Sequence, residues 1–143
     1  MQLVWIFIKT MKENELRIGN LIDYFGDIIK VDIIDCFDGK ERVGGKTKDG
    51  EHVYDKPTYF DPIELTEEML VSLFGKPRTN GNRFDIYTIP TNGIEIQDRR
   101  KSALPTPTIC ILKFGVHIYN IKYLHQLQNN YYLLTGEELE VEL

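Results

Sequence analysis

The feature that most constrains this chain is a pair of apolar runs, residues 18–25 and 28–35, that meet at Phe25-Gly26-Asp27. Gly26 can take the positive φ of a tight turn at no steric cost, so the two runs read as a β-hairpin. In the second run Ile29, Val31 and Ile33 alternate with Lys30 and Asp32, the period of a strand with one buried face. That face needs further strands to cover it, and the next segment offers only short ones. Residues 38–56 are polar and carry Gly39, Gly44, Gly45 and Gly50, so they read as turns around one or two short strands such as 51–54. Short strands with glycine corners bury one face by curling into a small barrel-like sheet.

A short helix follows. Thr66 is its expected N-cap, Glu67 and Glu68 suit the positive end of the helix dipole, Leu65 is placed to staple onto Leu70, and Gly75 is the expected stop. Leu70, Leu73 and Phe74 form its buried side. Residues 84–89 and 94–97 then make a second hairpin around Pro90-Thr91-Asn92-Gly93. After a proline-interrupted loop at 102–107, strands at 108–114 and 116–120 are separated only by Gly115, which implies a bulge or a tight reversal. A last helix is predicted over 121–135, with Ile121, Leu124, Leu127, Tyr131 and Leu134 at spacings of three and four and Gly136 ending it. The predicted class is therefore α+β: a small N-terminal antiparallel β unit, barrel-like, then a short helix, a second antiparallel sheet segment, and a C-terminal helix packed on the sheet.

A length of 143 residues suits a single domain over 11–143. Residues 1–10 read as an N-terminal extension, since Met11-Lys12-Glu13 resembles a second start. The apolar stretch at 3–8 is too short for a secretory signal or a membrane span, so no membrane association and a cytoplasmic location are expected; if ordered, the stretch would make an edge strand or a sticky tail.

The net charge of −5 gives no overall attraction to phosphate backbones or anionic lipid. The nearest basic cluster is Arg99-Arg100-Lys101, with Lys76, Arg78 and Arg83 upstream. Cys36 and Cys110 lie in apolar runs and read as reduced, buried thiols, with a disulfide between them left open, and the scattered His52, His117 and His125 lack metal-ligand spacing. No metal and no cofactor are expected. Gly44-Gly45-Lys46-Thr47 fails the phosphate-loop pattern, because position 40 is lysine and no helix follows. Cys110 and His117 stand on neighbouring strands and are the nearest approach to a nucleophile and base, while Glu67, Glu68 and the C-terminal glutamates read as helix caps and a solvated tail. Catalysis is thus the less favoured reading, though an unrecognised enzyme site stays open.

The polar side of the last helix carries Lys122, His125, Gln126, Asn129 and Asn130, amides rather than the usual charges. His125, Gln126, Asn129 and Tyr132 are the candidate ligand- or partner-binding residues, because amide groups make paired contacts to a base edge, a peptide backbone or a polar ligand. The competing reading is that these amides tie the helix to a neighbouring strand.

Three separated blocks, Leu16-Arg17-Ile18-Gly19-Asn20, Pro62-Ile63-Glu64-Leu65-Thr66-Glu67-Glu68 and Tyr123-Leu124-His125-Gln126-Leu127-Gln128-Asn129, the last closed by Leu134-Thr135-Gly136-Glu137-Glu138-Leu139, carry a resemblance. The chain resembles a family of small uncharacterised proteins of Bacteroidetes, their phages and mobile elements, with an opening "LRIGN", a central "PIxLTEE" and a closing "YxHQLQNxYxxLTGEEL". The likeness spans most of 13–139; it departs at Phe74-Gly75-Lys76-Pro77, where the family more often keeps a second aromatic after glycine. It implies a context and no activity. The resulting expectation is a non-catalytic accessory protein that engages a host protein or small ligand through the exposed side of the last helix. The alternative is a nucleic-acid-binding module, with Arg99, Arg100 and Lys101 on phosphates and the helix amides near bases. Homo-oligomerisation is left open.

Overall fold

The structure, a computed structural model, describes residues 16–79, 84–90, 92–102 and 108–143. Arg83, Thr91, most of the proline-interrupted loop and the N-terminal extension lie outside the described residues. The fold is α+β and divides into two compact units, one comprising 16–63, 123–131 and 142–143, the other 64–122 and 132–141.

The first unit is a half-barrel of five antiparallel strands: β1 (Leu21–Tyr24), β2 (Asp27–Phe37), β3 (Lys40–Thr47), β4 (His52–Asp55) and β5 (Phe60–Asp61), in the order β4-β3-β2-β1-β5. Phe25-Gly26 and Asp38-Gly39 join β1 to β2 and β2 to β3, all four residues at positive φ, the two-residue turn whose twist matches the strands it connects. Ile22, Ile29, Val31, Val43 and Phe60, with Leu16, form the core on the inner face.

Two expectations change here. Residues 18–20 do not begin the first strand: Asn20 Oδ1 accepts from Arg17 N–H at 2.7 Å and closes a turn, and the regular ladder starts at Leu21, although Gly19 N–H and the Asn20 carbonyl already bond to Val31. Residues 38–56, expected as turns around one or two short strands, hold two, and the first of them, 40–47, is one of the longest strands of the sheet. Gly44 and Gly45 lie inside it and are buried, so the Gly-Gly-Lys-Thr sequence is strand and not loop. A Cβ on Gly45 would fall on the Lys30 carbonyl and the Ile29 side chain. Glycine is there because β2 crosses β3 too closely for any side chain, next to a bulge at Asp32.

In the second unit, helix α1 (Glu67–Phe74) begins where the capping pattern places it. Thr66 Oγ1 accepts from Met69 N–H at 3.2 Å, and Gly75, at φ 84°, ends the helix. Leu65 and Leu70 are fully buried. The sheet is β6 (Arg78–Thr79), β7 (Asp85–Ile89), β8 (Ile94–Asp98), β9 (Ile109–Lys113) and β10 (Val116–Ile121), in the order β10-β9-β8-β7-β6. Phe114-Gly115 is a two-residue reversal between β9 and β10. Four consecutive residues of β9, Ile109 to Leu112, are buried, as befits a strand covered on both faces.

The last helix, α2 (Leu124–Thr135), starts three residues later than the apolar spacing suggests. Ile121 pairs with Ile109 as the end of β10, and Tyr123 N–H donates to Gln126 Oε1 at 3.1 Å. That bond is the back-reaching half of a capping box, with glutamine at the third helical position, and it fixes the start at Leu124.

Candidate functional site

The four helix residues singled out from sequence do not form one outward face. His125 is buried, 1 % exposed, with its ring stacked on Tyr123. Gln126 caps its own helix. Asn129 Oδ1 accepts from Asn20 Nδ2 at 2.8 Å and from Arg17 Nε at 3.2 Å. Only Tyr132, 40 % exposed, is presented to solvent. Gln128, which the sequence did not single out, is buried; its Oε1 accepts from the Leu21 amide at 2.9 Å and its Nε2 donates to the Gly19 carbonyl at 3.3 Å. The amides therefore tie α2 to the turn before β1, the competing reading of this face. Residues more than a hundred positions apart meet here, and no local signal marks them.

Burial pushes the pKa of His125 down from 6.5 to about 4. Above pH 6.5 the ring is neutral in both states and costs nothing. Between 6.5 and about 4 the unfolded chain binds a proton that the folded chain excludes, so stability falls as pH falls; below about 4 both states are charged and the loss is complete. We expect His125 to account for about 2 kcal/mol of lost stability between pH 7 and pH 5. Urea unfolding at a series of pH values checks this: His125→Leu should flatten the slope, and an unchanged slope would place the titration elsewhere.

The basic triplet is engaged within the protein. Arg100 Nε and Nη2 donate to the two oxygens of Asp98 at 2.9 and 2.7 Å, and Nη1 donates to the Leu65 carbonyl. Asp98 raises the pKa of Arg100 further, through these hydrogen bonds first. Lys101 Nζ donates to Glu67 at 2.8 Å. Arg99 donates to Gln97 and lies 4.6 Å over the Phe84 ring. Arg100 and Lys101 line a cleft of about 450 Å³ at the start of α1, shared with Glu64, Glu67, Glu68 and Asp98. Carboxylates outnumber cations there, which opposes phosphate binding.

Asn120 Oδ1 accepts from the buried Cys110 thiol at 3.3 Å and meets His117 Nε2 at 2.8 Å. The thiol gives its hydrogen to an amide rather than to a base, so this trio lacks the bond that activates a nucleophile. Among the described residues, no group of three or more His, Cys, Asp or Glu side chains converges as a metal site, and no helix is long and apolar enough to cross a membrane.

A different surface brings ring and charge together: the outer face of the first sheet. Residues directly opposite in antiparallel strands share a face. Lys30 pairs with Lys46, and Lys46 with His52; in the next row Ile33 pairs with Gly44, and Gly44 with Tyr54; beyond them lie Asp35 with Arg42 and Phe37 with Lys40. Tyr54 Oη donates to the Asp35 carboxylate at 2.7 Å, which raises the phenol pKa, and His52 Nε2 meets Asp32 Oδ1 at 3.0 Å. The edges of both rings close over Gly44, where an added Cβ would stand 3.0 Å from Tyr54 and 3.3 Å from His52. Tyr54 is 47 % exposed and Phe37 79 %. Two lysines directly opposed cost roughly 0.2–1 kcal/mol relative to a neutral pair, so folding alone does not favour them. The sequence hid this surface because it depends on β3, which glycines and lysines disguise as a loop.

The chain is thus an α+β protein of two antiparallel sheets, with exposed, carboxylate-held rings on the first. No family model, no curated protein and no solved structure matches it.

Proposed function

We propose that this is a non-catalytic binding protein, an accessory factor of a Bacteroidetes phage or mobile element, which engages a host macromolecule through the outer face of its first sheet. The observation that carries the reading is the set of rows Lys30-Lys46-His52 and Ile33-Gly44-Tyr54. Exposed rings held in place by hydrogen bonds lose little entropy on contact, and such preorganisation favours binding. The helix surface expected from sequence is the weaker candidate, since His125 is buried and Gln126 and Asn129 are hydrogen-bonded within the protein.

Tagged wild-type, Tyr54→Ala, Lys46→Glu and Tyr132→Ala proteins compared by affinity capture from a host lysate test the choice of surface. The sheet-face reading expects retained material to fall at least about fivefold with either sheet variant, a loss of roughly 1 kcal/mol, and to persist with Tyr132→Ala. Loss with Tyr132→Ala alone would return the site to the last helix.

A further inference from the structure

We propose that the ligand of this face is single-stranded RNA, with bases stacking on Tyr54 and His52 and phosphates held by Lys30, Arg42 and Lys46; the inference rests on the sheet-face reading above. Exposed aromatic rings on an antiparallel sheet are a platform that any base can use, because every base presents a π-face. Tyr54 and His52 are fixed by Asp35 and Asp32, and Gly44 beneath them lets the edges of both rings lie close on the sheet.

Charge complementarity singles out a polyanion. Lys30 and Lys46 face each other across β2 and β3, and Arg42 stands one row beyond Gly44 on the same face, in a protein of net charge −5. The basic triplet is held by Asp98, Glu67 and Gln97, whereas of the sheet-face cations Arg42 gives its Nη1 to the Glu41 carbonyl at 2.8 Å, a neutral acceptor. Asp32 and Asp35 decide between the two nucleic acids. A carboxylate beside a stacked nucleotide repels phosphate but accepts a hydrogen bond from a ribose 2′-hydroxyl, which DNA lacks. Duplexes keep their bases stacked inside and cannot use the platform.

The test is fluorescence anisotropy of a labelled oligouridylate of about 15 nucleotides, against the matched thymidine DNA and an RNA duplex. We expect the RNA strand to bind more tightly than either, with affinity falling with salt at a log–log slope of roughly −2, about 0.7 for each of the three cations. Tyr54→Ala should weaken binding by about tenfold or more, and Tyr54→Phe, which keeps the ring, by much less. Lys46→Glu should weaken it while Lys101→Glu, an equal change of charge, leaves it within about twofold. Equal loss with Lys101→Glu would reduce the effect to net charge, and equal affinity for the DNA strand would overturn the assignment to RNA. If the RNA strand fails to bind at low salt while lysate capture still depends on Tyr54 and Lys46, the RNA inference falls and the sheet-face reading stands. If neither depends on them, both fall.

Discussion

Replacing Gly45 by alanine should cost about 3 kcal/mol or more, far beyond the usual effect of adding one methyl group to a strand. The backbone of Gly45 has no positive φ to defend, so the cost is steric. Its Cβ would fall on the carbonyl of Lys30, which belongs to β2, and on the Ile29 side chain, which lies in the core. A backbone atom cannot rotate away as a side chain does, so β2 and β3 must part, and the strand pairing of the half-barrel weakens with them. Gly50 is the comparison. It sits at φ 88° with nothing near its would-be Cβ, so Gly50→Ala carries only the left-handed backbone cost of roughly 1–2 kcal/mol. Urea unfolding of both variants tests the ranking; a Gly45→Ala protein as stable as Gly50→Ala would mean that the two strands can separate at little cost. The same geometry bears on the binding face, because Gly45 packs inward while its neighbour Gly44 lies beneath the Tyr54 and His52 rings.

This pair of glycines also marks the limit of what the sequence makes legible. Where several short-range signals coincide, the reading is right: Thr66, two glutamates, Leu65 and Gly75 all agree on one helix, and the structure has it. At Gly115 a single glycine leaves a bulge or a tight reversal open, and the structure has the reversal. Composition misleads in β3, where glycines required by a close crossing look like the glycines of a turn. Periodicity misleads at Ile121, which falls at helical spacing from Leu124 yet ends a strand, because the helix start is set by the Gln126 side chain reaching the Tyr123 amide. The binding face is harder still. Lys30, Lys46, His52 and Tyr54 share a face only once the register of three strands is known, and the bulge at Asp32 shifts that register.

The amides of α2 give the second large effect. Asn20→Ala should destabilise the protein by about 3 kcal/mol, because Asn20 is fully buried and serves partners on two sides. Its Oδ1 accepts from the Arg17 amide, and its Nδ2 donates to Asn129 at 2.8 Å and reaches Gln128 at 3.5 Å. Truncation removes the acceptor of the Arg17 amide, at roughly 1–3 kcal/mol in a buried setting, and takes one donor each from Asn129 and Gln128, which keep Arg17 Nε and the Leu21 amide. Gln128→Ala removes the acceptor of the Leu21 amide at the start of β1 and should cost about 2 kcal/mol. The two side chains belong to one network, so the double variant should lose less than the summed losses of the single ones. A double-mutant cycle by urea unfolding measures that coupling. Strict additivity would mean that Asn20 and Gln128 act independently, each through its own hydrogen bonds rather than as one network.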